Sequence, residues 1–267
     1  MKIGMPTLLE TETLPDCIAL CRDLGLDFVE LNANFPAYQP DRLDAGLLCA
    51  AAQSGGPFFT LHADENLNPC DFNARVASAY RESLRAQLRL AKAIGAPLVN
   101  MHLHRGVYIT LPDRRVFLYE RYSAAYRKGL DALRALCEDE LAGSPVRVCI
   151  ENTGGFMPHE QEAVLYLLES PFFALTLDVG HLHAAGGGDL PFFVAQQGRL
   201  CHMHLHDAKG PKNHLALGDG EIDLPARVAF AKACGCRIVL ETKTVEALRR
   251  SVPYLRRLLD EGVCPRS

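Results

Sequence analysis

The chain has 267 residues, 48% of them hydrophobic, with a net charge of −4. That length and apolar share allow a large core and a domain of α/β-barrel size. The acidic balance gives no general pull toward nucleic acid or an anionic membrane.

No apolar run approaches a membrane span. The opening "MKIGMPTLLETE" lacks the long apolar stretch of a secretory signal. The cysteines are scattered without a CxxC, several in apolar runs such as "VCIE" and "LLCAAA". They read as reduced thiols in a cytoplasmic protein.

Short apolar or β-branched runs predict strands at 2–5, 27–32, 58–63, 98–104, 146–152, 174–180, 200–207 and 237–243. Between them lie amphipathic stretches. Those at 14–25, 75–95, 120–143, 226–235 and 244–262 carry helical spacing, and the first two end in glycine. The pattern is eight strands and eight helices in alternation. Apolar strands imply a parallel sheet covered on both faces. Eight repeats imply a closed barrel, so the predicted fold is α/β, a single (β/α)8 TIM barrel over residues 1–267. An open doubly wound sheet would show a glycine-rich phosphate turn after its first strand, and "GMPTLLETE" is not one. "AAGGGD" (184–189) reads as a loop.

In such barrels the site lies at the C-terminal ends of the strands. All ten histidines fall in the later part of a predicted strand or just after one, and none in a predicted helix body. In "CHMHLHDAKG" three of them alternate, placing His202, His204 and His206 on one strand face. Three apolar strands also end in an acid: Glu151, Asp178 and Glu241. A charge there is costly unless paired. Arg105, Lys209, Lys212 and Lys243 are near enough in sequence to form salt bridges. The alternative partner is a divalent cation. Two Glu, one Asp and His204 form a mixed oxygen and nitrogen set suited to Mn²⁺, Mg²⁺, Co²⁺ or Zn²⁺.

The motifs "TLHADENLN", "VNMHLH", "CIENTGG", "LDVGHLHAAG", "HMHLHDAKG", "HLALGDGEID" and "LETK" carry a resemblance. In this order they resemble the xylose-isomerase-like barrel superfamily, which holds sugar isomerases and epimerases together with endonuclease IV. The resemblance implies a metal site of Glu151, Asp178, His204 and Glu241. It implies that His62 and His102 match ligands of an additional zinc in the nuclease. His181 matches a substrate contact in isomerases or a ligand of a further zinc, and His214 matches another ligand of that zinc. Two departures stand out. Lys212 occupies the position of a nuclease aspartate ligand. Ketose 3-epimerases carry a second acid near Met157, and the next acid here is Glu160.

The expected activity is a metal-dependent isomerase or epimerase of a small sugar, sugar phosphate or hydroxy-ketone. Glu151 and Glu241 would move the proton. His62, His102, His181, His206 and Lys209 would contact substrate, and Glu30 would orient His62. The long segment "RGVYITLPDRRVFLYERY" would form a lid, with Arg105, Arg114 or Arg115 reaching an anion. A dehydratase, a zinc phosphodiesterase of the endonuclease IV type and an inactive metal-binding scaffold are the rival readings. The scaffold would require a missing acid, and none is missing. The expected partner is a small carbohydrate-like molecule, not nucleic acid or membrane, and a homo-oligomer stays open.

Overall fold

In a computed structural model, residues 1–260 are described. The predicted Cys264 thiol and the end of the last helix, Glu261 and Gly262, lie outside them. Eight parallel strands close into a barrel: β1 (Ile3–Pro6), β2 (Phe28–Asn32), β3 (Phe58–His62), β4 (Leu98–His102), β5 (Arg147–Glu151), β6 (Phe173–Asp178), β7 (Leu200–Leu205) and β8 (Arg237–Leu240). Each strand pairs with its neighbour in sequence, and β1 pairs with β8. The (β/α)8 barrel expected from the alternation is therefore present.

Local chemistry marks the helix boundaries. Thr13 and Asp16 form a reciprocal capping box at the start of Leu14–Asp23. Asn73 caps Ala74–Ile94, and Asp223 caps Leu224–Cys234. Gly95 and Gly235 end two helices in the left-handed conformation that glycine adopts without cost.

The helical layer is less regular than the sequence pattern. Beyond β6 the crossover is split into two short helices, Val179–Ala184 and Leu190–Ala195. His181 and His183 lie in the first, and His159 opens the helix Pro158–Leu168. The expectation that no histidine sits in a helix is thus corrected: the turn after β6 tightens into helix at once, because Asp178 caps it through the His181 N–H at 2.6 Å. The segment after β4 is an antiparallel hairpin, Tyr108–Thr110 with Arg115–Phe117.

Outward-facing strand residues such as Val99, Met101, Ile150, Leu177 and Leu205 are buried under the helices. The barrel interior is polar instead. Glu30, Thr60, Asn100, Thr176, His202 and His204 are all buried. A barrel interior is ordinarily filled by branched apolar side chains. Here its upper layers are given to hydrogen-bonding groups.

Candidate metal centre

Glu151 and Asp178 end β5 and β6, His204 lies near the end of β7, and Glu241 follows β8. One ligand atom from each of the four lies within 4.8 Å of the others. His204 Nδ1 is 3.3 Å from Glu151 Oε1, 2.9 Å from Glu241 Oε2 and 3.9 Å from Asp178 Oδ2. His204 Nδ1 and Glu241 Oε2 are both buried, and among the described residues neither makes a hydrogen bond despite their closeness. Buried polar atoms without partners are costly. Two such atoms converging with two more carboxylates fit the donor set of a divalent cation.

A scaffold of buried polar groups holds each acid. Asn100 donates to Glu151 Oε2, and Thr176 Oγ1 donates to Asn100 Oδ1 at 2.6 Å. Asn152 clamps the backbone of Asp178 twice, donating to its carbonyl at 2.9 Å and accepting from its N–H at 2.8 Å. Neither asparagine was singled out from sequence. The signal was present: Asn152 directly follows Glu151, and Asn100 stands two residues before His102 near the end of an apolar strand.

Glu30 does not orient His62. Its Oε1 lies 2.7 Å from His204 Nε2, and its Oε2 lies 2.9 Å from His202 Nε2 and accepts from Thr60 Oγ1 at 2.9 Å. The reason is barrel closure, which brings β2 opposite β7. His62 instead contacts Glu151, with Nε2 3.4 Å from Oε2, and His102 Nε2 lies 3.3 Å from the same oxygen. Burial opposes charge on Glu30, but His204 and His202 hold its carboxyl well below the usual range. Burial likewise opposes charge on His62, but Glu151 and Glu30 raise its pKa to about 9.

The predicted substrate residues divide. His62, His102 and His181 line a cavity of about 530 Å³ with Glu151, Glu241 and His214. His206 does not line it. Its ring is fully buried, Nε2 donates to Asp178 at 3.0 Å, and Nδ1 accepts from the His214 N–H at 2.8 Å. The expected substrate contact by His206 is therefore corrected, because the helix after β6 covers it. A Cβ on Gly180 would fall 1.9 Å from His206 Cε1, so only glycine lets that helix lie there. His181, His206 and His214 form a second close group, but both nitrogens of His206 are already engaged. Lys209 is exposed on the short hairpin Asp207–Lys209 with Lys212–Leu215 and lies outside the cavity lining.

That hairpin and the turn after it are fixed by Asp207, another residue that sequence reasoning passed over. Its buried carboxylate accepts from the N–H groups of Ala208, Gly218, Gly220 and Ile222 at 2.9–3.2 Å. A Cβ on Gly220 would sit 2.3 Å from Asp207 Oδ1. Here "LGDG" serves to wrap an acid, which aligns His214 beside His206 with ring centroids 4.1 Å apart.

Of the lid arginines, Arg105 alone lines the cavity. It is anchored by Glu160 Oε2 at 3.0 Å and by the Gly154 and Gly155 carbonyls at 2.6 Å. Arg114 pairs with Asp113, and Arg115 lies over the Tyr108 ring. Glu160 is also spent on the Met157 N–H at 2.7 Å and does not reach the cavity. Lys243, absent from the predicted site, lines the cavity with its Nζ 2.9 Å from Glu241 Oε1.

A family model described as "Xylose isomerase-like TIM barrel" matches residues 18–258. The chain belongs to this family. Several solved structures share the barrel of this xylose isomerase-like protein at low identity. A D-tagatose 3-epimerase-like protein is 22% identical with a TM-score of 0.78, and the alignment covers 98% of both chains. The 3-keto-D-glucoside 4-epimerase YcjR from E. coli is 17% identical with a TM-score of 0.75, covering 96% of this chain and 99% of its own. The IOLI protein with a bound zinc atom is 18% identical with a TM-score of 0.74, covering 98% of both. No similar sequence was found among curated proteins. Among the described residues no helix is long and apolar enough to cross a membrane.

Proposed function

We propose that this chain is a divalent-metal-dependent isomerase or epimerase of a small sugar, sugar phosphate or hydroxy-ketone. The observation that carries the reading is the meeting of three acids and an unpartnered imidazole nitrogen from four strands beside a cavity of substrate size. The solved relatives named as epimerases support a carbohydrate carbonyl as the target, and the zinc-bound relative supports a cation.

Bound Mn²⁺, Zn²⁺, Mg²⁺ or Co²⁺ would polarise the substrate carbonyl and stabilise the charge of an enediolate. The protein supplies the rest. Glu241 is the more open of the two glutamates, with 13% of its side chain exposed against 1% for Glu151. It is the group that takes the proton from the carbon beside the carbonyl. Glu151 reaches the cavity from β5 and is positioned to return a proton from the other side. His62, His102 and His181 line the walls and hydrogen-bond the substrate hydroxyls. Glu30 is a positioning residue that turns His204 Nδ1 toward the acids.

A nuclease of the endonuclease IV type is less well supported. Lys212 is exposed where that reading requires an acid, and the net charge of −4 gives no general grip on a polyanion. The test pairs elemental analysis with exchange. Protein purified without chelator and loaded with Mn²⁺ or Zn²⁺ should hold bound metal that Asp178→Ala loses. The same protein should move solvent deuterium into a member of a ketose and ketose-phosphate panel and leave an abasic duplex intact. Metal-dependent nicking without exchange would replace the isomerase with the nuclease. Absence of metal in both proteins would remove the centre altogether.

A further inference from the structure

A second cluster lies at the opposite end of the barrel. Cys149 on β5 and Cys201 on β7 are not neighbours in the sheet, because β6 runs between them. Ala174 of β6 is in register with Cys149. Its methyl group is too small to separate the thiols, and they meet beside it with Sγ to Sγ at 3.4 Å. The strand carrying Cys201 is bulged there. Leu200 is paired with Leu175 and His202 with Thr176, so Cys201 is the extra residue. Cys149 is fully buried, whereas Cys201 is partly exposed.

The surroundings are cationic. Arg147 and Arg199 each stand two residues before one of the cysteines, and Arg237 is in register with His202. A hydrogen bond from Cys149 outweighs burial and, with Arg147, Arg237 and Arg199, lowers the Cys201 thiol. Burial pushes an ordinary core thiol the other way, as at Cys17, raised to about 11. A partly exposed thiol next to a second thiol and several cations is the arrangement that reacts with peroxides.

We propose that Cys201 and Cys149 form a peroxide-oxidisable thiol pair at the base of the barrel, separate from the metal centre. The Cys201 sulfur attacks one oxygen of hydrogen peroxide and the O–O bond breaks. Cys201 becomes a sulfenic acid, and the departing hydroxide takes up the thiol proton as water. The Cys149 sulfur then attacks the Cys201 sulfur. The S–S bond forms as the S–O bond breaks, and the second water leaves with the Cys149 proton. Two thiols have lost two electrons, and one peroxide has gained them. The sulfur atoms close from 3.4 Å to about 2 Å in this step. A thiol reductant reverses it.

The test treats the full chain with hydrogen peroxide, blocks remaining thiols with N-ethylmaleimide, and maps peptides without reduction by mass spectrometry. The expected result is a Cys149–Cys201 cross-link that dithiothreitol removes. Cys149→Ser should instead accumulate a dimedone adduct on Cys201, and Cys201→Ser should give neither product. Two results overturn the proposal, and both are read on the wild type. One is a Cys201 that stays alkylatable at peroxide doses that oxidise Cys49. The other is a dimedone adduct on Cys201 without any cross-link.

Discussion

At the mouth of the barrel Glu151, Asp178 and Glu241 crowd around His204, whereas at the base Arg147, Arg199 and Arg237 surround two thiols. The same strands build both ends, with Glu151 only two residues beyond Cys149. The mouth keeps buried polar atoms without partners at His204 and Glu241. Near the base, Phe28 stacks on Phe58 with centroids 5.0 Å apart and fills the space over Gly4, where a Cβ would come within 2.5 Å of its ring. Aromatic rings fill the base, whereas the mouth gathers polar atoms around an open cavity. Unsatisfied groups at the mouth are the cost of a site ready to bind, and the packed base offsets that cost.

The comparison breaks most readily at Glu241. Glu241→Gln should lower turnover by about 10²–10⁴-fold while the denaturation midpoint changes little, since removing one of several crowded like charges offsets the lost contact with His204. Steady-state kinetics and urea unfolding on the same preparation check both halves. Normal turnover would show that the acids at the mouth serve structure. Phe28→Ala probes the other end. Its fully buried ring should cost about 3–5 kcal/mol of stability on truncation, read from urea unfolding, with the bound metal per folded molecule unchanged. A loss of metal would mean that the two ends are not independent. Glu30→Gln sharpens the boundary between them, because Glu30 lies between the layers and holds His204 and His202. It should weaken metal binding by about 10–100-fold in calorimetric titration. An unchanged affinity would show that packing alone orients His204.

Much of this division was legible in the sequence. Alternating strands and helices imply the barrel, and acids closing apolar strands imply where charge collects. The gaps share a physical cause: periodicity gives the direction of a side chain but not what covers it. His206 was read as part of the β7 face, but β7 ends at Leu205, and the helix that seals His206 depends on Gly180 far from it in sequence. Glu30 was placed facing the mouth, but its histidine partners are 172 and 174 residues away and meet it only because the sheet closes. Asp207 looked like a strand terminus, yet three of its four backbone donors come from a turn more than ten residues on. The segment after β4 was read as a lid and its two strands were not among those predicted, although "VYIT" and "RVF" carry the β-branched and aromatic residues that pair there.

The fit between Gly180 and His206 has a consequence for how this chain can change over time. No side chain larger than hydrogen can occupy position 180 while an imidazole occupies position 206. Neither substitution is therefore open alone: a methyl at 180 requires a smaller ring or no ring at 206. In related chains the two positions should vary as a linked pair. Asp178 joins the constraint, because His206 holds its carboxylate. A lineage that exchanges the pair must then find another donor for that acid, so the pair is a ratchet on the metal centre as much as a packing contact.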